Sequence, residues 1–321
     1  MGDWLFSYDA VDRLTAASAS LNAPAGFKGQ TATWSYDSYG NRTAQSFANG
    51  VSSVTVSYNP ANNRINTVSG IVPSYVYDAS GNTLFDGKNE YWYDAEGQLC
   101  AVASANAYGI PVAPITGYLY DAEGARIGKV ALAAPPASST SLCAPPSVAA
   151  LNAPGVATSG VTVTARYLVD LGGDQITELN TQNGTTAVPL GWAHSNIFSA
   201  ARLTATYDTK GLHYELADPL GTKRVQTNIS GQIEESCVSL PFGDALTCTQ
   251  NSALTTSDDA TEHHFTGKER DTESGNDYFS ARYYASSMGR FMSPDPLPWL
   301  GWQNPSESAS EEAKDEAHEK F

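Results

Sequence analysis

Residues Trp34 to Arg42 read WSYDSYGNR, and the physics of that short string decides the fold. Trp34 and Tyr36 stand two apart, the period of a strand with one covered face. Asp37 offers a side-chain oxygen to the local backbone, while Gly40 and Asn41 tolerate the positive φ that a tight hairpin needs. Arg42 opens a return strand. The unit is a β-hairpin, and one hairpin alone is marginal in water.

The same string recurs along the chain. It is found at Tyr8 to Leu14 (YDAVDRL), Tyr36 to Arg42, Tyr58 to Ile65 (YNPANNRI), Tyr77 to Leu84 (YDASGNTL), Tyr93 to Leu99 (YDAEGQL), Tyr120 to Ile127 (YDAEGARI) and Tyr207 to Leu212 (YDTKGL). A degenerate eighth copy spans Tyr167 to Leu179. Successive tyrosines from Tyr8 to Tyr120 are 28, 22, 19, 16 and 27 residues apart, so the turn is fixed while the strands between turns vary in length. Before each turn apolar residues fall two apart, as in Phe6/Tyr8, Val56/Tyr58, Tyr75/Tyr77, Tyr91/Tyr93 and Tyr118/Tyr120. Hairpins of this kind gain stability by stacking edge to edge, which gives the tyrosine rows a surface to pack on. The expected fold is all-β: stacked antiparallel β-hairpins forming a continuous curved sheet, a partial shell with little helix.

Composition narrows the function. A chain of 321 residues with 41% hydrophobic and 16% charged residues is too apolar and too weakly charged to be disordered. Eighteen basic residues against 34 acidic ones leave a net charge of −16, so a phosphate-neutralising surface, and with it a nucleic-acid partner, is excluded. The sequence shows no apolar run long enough to span a membrane, and Met1 to Asp12 has no basic flank of the kind a signal peptide carries.

Signals for chemistry are sparse. Cys100, Cys143, Cys237 and Cys248 show no zinc-type spacing. Cys237 and Cys248 bracket VSLPFGDALT and could pair across a hairpin, but two separate half-buried thiols are the preferred reading. His263 and His264 are adjacent, so a regular strand would point them to opposite faces, and they are read as surface residues. The Asp-x-x-Gly turns lack the alternating acids and terminal Glu of an EF-type calcium loop. The motifs of serine hydrolases, zinc proteases and phosphate or dinucleotide binders do not occur. No metal and no cofactor is expected.

From His213 onward the string becomes specific. HYELADPLGTKRV (His213 to Val225), SGQIEE (Ser230 to Glu235), LPFG (Leu240 to Gly243) and above all FTGKERDTESGNDYFSARYYASSMGRFMSPDP (Phe265 to Pro296) resemble the closing part of Rhs, or YD-repeat, proteins, ending in the Rhs repeat-associated core motif. The resemblance covers about residues 1–298. It divides the chain into YD hairpins at 1–131, an Ala/Pro/Ser-rich insertion at 132–165, further hairpins at 166–250, the core motif at 251–298 and an acidic tail at 299–321 with helix-forming composition.

The resemblance implies a bacterial scaffold of the polymorphic-toxin type. In that family a β-ribbon shell encloses a C-terminal toxin or effector, and the intact protein is secreted or lies at the cell surface. The expected partners are that polypeptide or the remaining shell, and the stretch is expected to be a fragment with two open sheet edges that promote association. The family also implies self-cleavage candidates: Arg290 in GRF and Asp295 in SPDP match the start of that region. The usual continuation, with its second aspartate, does not occur before Phe321. An aspartyl mechanism needs two carboxylates sharing a proton, so Asp295-Pro296 is read first as a turn, like Asp218-Pro219. Arg282 and Arg290 lie among aromatic residues and are read as stacking on them. The expected function is a non-catalytic structural scaffold. The alternatives are a glycan-binding adhesion module with its tyrosines outward and a self-cleaving core using Asp295.

Overall fold

The computed structural model describes residues 4–23, 27–47, 53–71, 74–106, 108–136 and 160–295. Among them, six strands form a first sheet: β1 (Trp4–Tyr8), β2 (Leu14–Ala19), β3 (Thr31–Tyr36), β4 (Arg42–Phe47), β5 (Val54–Tyr58) and β6 (Ile65–Val68). Fourteen more form a second sheet. These are β7 (Val76–Tyr77), β8 (Thr83–Phe85), β9 (Asn89–Tyr93), β10 (Leu99–Ala105), β11 (Pro111–Tyr120), β12 (Arg126–Leu132), β13 (Val161–Val169), β14 (Gln175–Asn180), β15 (Gly191–Ser199), β16 (Arg202–Asp208), β17 (Gly211–Ala217), β18 (Lys223–Asn228), β19 (Ile233–Val238) and β20 (Thr247–Gln250). A small third sheet holds β21 (Glu269–Arg270), β22 (Asp277–Phe279), β23 (Arg282–Ala285) and β24 (Arg290–Phe291). Neighbours in sequence are neighbours in each sheet and the sheets are antiparallel without closing into a barrel, so the expected all-β architecture is what the chain adopts. Among the described residues the helical element is a single 3-10 turn at Phe265–Gly267.

The turns work as their residue types require. Asp37 N donates to Asn41 O at 3.0 Å and Gly40 N to Asp37 O at 3.2 Å, while Asp37 Oδ1 accepts from the amides of Tyr39 and Asn41. Gly40 has φ +84°, and where the repeat lacks glycine Asp12 and Asn63 take the left-handed position at φ 60° and 57°. A left-handed residue after a tight turn leaves one strand a residue longer, and the register shifts at Tyr8, Tyr36, Tyr58, Tyr77 and Tyr120 accordingly.

A second bond ties one repeat to the next. Tyr36 Oη donates to Leu14 O at 2.7 Å, Tyr58 Oη to Arg42 O at 3.0 Å, and Tyr120 Oη to Leu99 O at 2.7 Å. Tyr77 Oη instead accepts from Ile65 N at 3.1 Å. In every case the tyrosine of one repeat caps the first backbone groups of the return strand of an earlier one. The arginine of the earlier turn then lies on that same ring: Arg13 over Tyr36 at 5.1 Å and Arg64 over Tyr77 at 5.5 Å.

The tyrosines are not equivalent. Tyr93 is 3% exposed and its hydroxyl has no hydrogen-bond partner, whereas Tyr8 is 59% exposed because β1 is the sheet edge and has no earlier return strand beside it among the described residues. Tyr207 is 51% exposed on the outer face, 5.6 Å from Trp192. Tyr167 of the degenerate copy is buried.

Three further expectations meet the structure here. The preference for separate thiols is overturned: Cys237 and Cys248 are cross-strand partners in β19 and β20 and form a disulfide with an S–S distance of 2.04 Å. The register that places them directly opposite one another is set by the hairpin, which sequence spacing alone does not fix. The insertion assigned to 132–165 is shorter at both ends, since Leu132 lies in β12 and residues 161–165 in β13; residues 137–159 lie outside the described residues. The tail at 299–321 also lies outside the described residues.

Losing the Tyr120 hydroxyl leaves a carbonyl of the wall without its donor. Tyr120→Phe is therefore expected to cost about 1–3 kcal/mol in denaturant unfolding, against a change within about 0.5 kcal/mol for Tyr8→Phe at the exposed edge.

Candidate functional site

The site with the densest chemistry is the seat of the core motif on the inner face of the repeat sheet. Its apolar floor combines repeat residues Val56, Ile65, Tyr91, Tyr93, Leu99, Val102 and Tyr118 with Tyr283, Ala285, Met288 and Met292 of the motif. Burial of this kind supplies most of the binding energy but little orientation. Orientation comes from ions.

Arg126, the first residue of β12, is buried and donates through Nη1 to both carboxylate oxygens of Asp271 at 2.9 Å and to Tyr283 Oη at 2.6 Å. Its Nη2 faces Glu269, its amide donates to Tyr278 Oη at 3.0 Å, and its guanidinium lies 4.4 Å from the Tyr278 ring centre. Tyr278 thus gives the Asp121–Arg126 turn the same cap that a following repeat gives elsewhere. One turn further along β12, Lys129 Nζ reaches Asp271 at 3.0 Å and Glu273 at 3.2 Å, and Tyr118 Oη donates to Glu273 at 2.9 Å. Burial would raise the Glu269 carboxyl, but Arg126 and Lys129 hold it down at about 2. Burial, helped by the neighbouring Glu269 and Asp271 charges and opposed by Lys129, pushes Glu262 up to about 8.

A second exchange of arginines locks the motif to the first sheet. Arg42 turns away from Tyr58 and donates through Nη2 to Ser286 O at 3.1 Å and Ser287 O at 2.8 Å. Arg290 of the motif fills the vacated position, 5.6 Å over the Tyr58 ring, and donates to Asn63 O at 3.1 Å. Gly289 permits the crossing: it has φ +65°, and a Cβ there would stand 2.9 Å from Arg42 Cζ.

The self-cleavage candidates have different partners. Arg290 is engaged with Tyr58 and Asn63, while Asp295, 54% exposed on its side chain, pairs with Arg282 Nη2 at 3.1 Å. Arg282 itself lies 4.1 Å over Phe291. Asp295 lines a cleft of about 500 Å³ together with Asp78, Asp94 and Glu96, in which burial and the neighbouring Glu96 charge raise the Asp94 carboxyl.

The reading of His263 and His264 as surface residues is overturned. They are 7% and 6% exposed, because residues 257–269 cover the inner face of the second sheet and do not run along its edge. His263 Nδ1 is 2.8 Å from Thr261 Oγ1, and His264 Nε2 is 2.9 Å from Asp259 Oδ2. That covered face is polar, with Asn196, Thr206, His213, Lys223, Gln226, Glu234 and Glu235 buried, while Ile197, Tyr207, Tyr214, Leu216 and Ile233 are exposed on the other side. Alternation is kept and its usual sense is reversed.

The sequence reading missed Arg126, Lys129, Glu269 and Asp271 as a group. Arg126 and Asp271 are 145 residues apart, so only the fold brings them together.

Architecture and site together define the class: a YD-repeat β-sheet with a core motif folded back against one face. Residues 4–132, which take in strands β1 to β12, match the family described as Teneurin YD-shell. No curated protein matches the chain. Among solved structures, TcdB2-TccC3-Cdc42 is similar at a TM-score of 0.64 and 18% identity over 91% of this chain. TcdB2-TccC3-TEV is similar at 0.63 and 17% over 92%, and the Tc holotoxin pore of Photorhabdus luminescens, carrying a mutation in TccC3, at 0.62 and 17% over 92%. The chain spans 14% of the length of each of these, and the likeness shows a shared fold.

Two outcomes follow. Asp271→Asn breaks the buried ion pairs that Arg126 and Lys129 share through one carboxylate, and is expected to cost about 3–5 kcal/mol in denaturant unfolding, with residues 265–295 becoming the first site of limited proteolysis. Burial lowers His263 to about 4, so its contribution is present above its ordinary value of 6.5 and lost as pH falls from there toward 4. Titrating the unfolding free energy of the protein and of His263→Gln in parallel should show the difference between them falling by on the order of 3 kcal/mol over that window.

Proposed function

We propose that the chain is a non-catalytic scaffold, a segment of an Rhs-type β-shell whose covered face encloses and presents a polypeptide cargo of toxin or effector type. The observation that carries this reading is the inward fold of the core motif. Tyr283, Ala285, Met288 and Met292 of the motif join the hydrophobic core on one face of the sheet, which supports reading that face as the interior. The arginine and tyrosine positions serve wall and motif, which supports a structural role for them.

The partners are then the rest of such a shell and the cargo chain, and the location is outside the producing cell. Among the described residues no helix is long and apolar enough to cross a membrane.

Photo-crosslinking tests the direction of enclosure. A crosslinking residue at position 215, on the covered face, and another at 216, on the exposed face, are placed in the full chain carrying a polypeptide extension after Phe321. Capture of the extension from position 215 and not from 216 supports enclosure. Equal capture from both, or capture from 216 alone, contradicts it.

A further inference from the structure

The tight turn between β16 and β17 sets Asp208 and His213 side by side, and a segment that follows β20 brings Asp258 to them. His213 is 2% exposed; its Nε2 lies 3.0 Å from Asp208 Oδ1 and its Nδ1 2.7 Å from Oε2 of Glu234, a wholly buried residue of β19. Asp258 is held by Gln226, which donates to its backbone oxygen at 2.9 Å. One ligand atom from each of Asp208, His213 and Asp258 falls within 4.8 Å of the others.

Two oxygens here are unexplained by the protein alone. Asp258 Oδ1 and Glu234 Oε1 are buried and have no hydrogen-bond partner. The carboxylates of Asp208, Glu234 and Asp258 lie against His213 and a single lysine, Lys210, whose Nζ is 2.6 Å from Asp258 Oδ2, so even with the imidazole protonated three acids face two cations.

We propose that Asp208, His213 and Asp258 bind a divalent transition-metal ion of the zinc type, with Glu234 as the outer carboxylate that orients the imidazole. An imidazole nitrogen with two carboxylate oxygens favours borderline ions such as zinc over calcium or magnesium, which take oxygen ligands. A carboxylate on the far ring nitrogen holds the imidazole in place, so that an ion would displace the proton by which Nε2 now contacts Asp208 Oδ1 and take that nitrogen as its ligand. The ion pins the β16–β17 hairpin of the wall to the segment leading into the core motif.

The test uses the full chain and the metal alone. Zinc titration calorimetry and cobalt absorption are expected to show one ion per chain, with tetrahedral or five-coordinate cobalt bands and no thiolate charge-transfer band. Glu234→Gln, which keeps all three ligands, should weaken binding about 10–100-fold. Asp258→Asn, on a partly exposed segment, should weaken it at least as much and remain folded by circular dichroism, which keeps the test informative if His213→Ala does not fold. Absence of stoichiometric binding overturns the site. Binding unchanged in Asp258→Asn and Glu234→Gln overturns it equally.

Discussion

The structure depends on one bond repeated along the wall: a tyrosine hydroxyl of one hairpin satisfying the backbone of an earlier one. A tight turn with a left-handed residue leaves the first groups of its return strand without a full ladder partner, and buried backbone groups must be paired. Tyr36, Tyr58, Tyr77 and Tyr120 meet that need from the next strand pair in their reach. The geometry makes neighbouring hairpins interdependent, which is how a chain of marginal units becomes a stable sheet. The core motif enters by the same rule, Tyr278 capping the turn at Arg126 where the regular series breaks.

Ions then convert a sheet into a wall with an inside. Hydrophobic contacts hold the motif against the repeats but do not choose its orientation, whereas the contacts of Arg126 with Asp271 and Glu269 and the exchange of Arg42 and Arg290 do. Such buried ions bring modest net stability, because desolvation offsets much of their attraction, and their main effect is to penalise any misplaced docking. The reversed face of β15 to β19 belongs to the same design: its polar side chains are satisfied by residues 257–264 lying over them, as when Lys223 Nζ donates to Asp259 Oδ1 at 2.7 Å.

The local rules were legible in the sequence because they are local. Period-two apolar pairs before each tyrosine, Asp at the turn and Gly, Asp or Asn in the left-handed position can be read within seven residues, and the strands and turns fall where those signals stand. The resemblance of Phe265 to Pro296 to a core motif marked where the repeat ends. What was hidden is what depends on register and distant contact. Nothing around Cys237 fixes Cys248 as its partner until the hairpin register is set, and His263 and His264 carry no mark of the sheet that covers them. Arg126 looks like any repeat arginine until Asp271 arrives from the far end of the chain. Tyr8 and Tyr207 show the converse, with repeat tyrosines whose local signal is intact but which lack a covering neighbour.

Hydrogen exchange of the native protein and of Tyr58→Phe tests most directly whether hairpins stand by leaning on one another. The account predicts that losing this one hydroxyl accelerates exchange in both the β3–β4 and β5–β6 hairpins, because the bond from Tyr58 to Arg42 couples them. Faster exchange confined to β5–β6, with β3–β4 as protected as before, would contradict it.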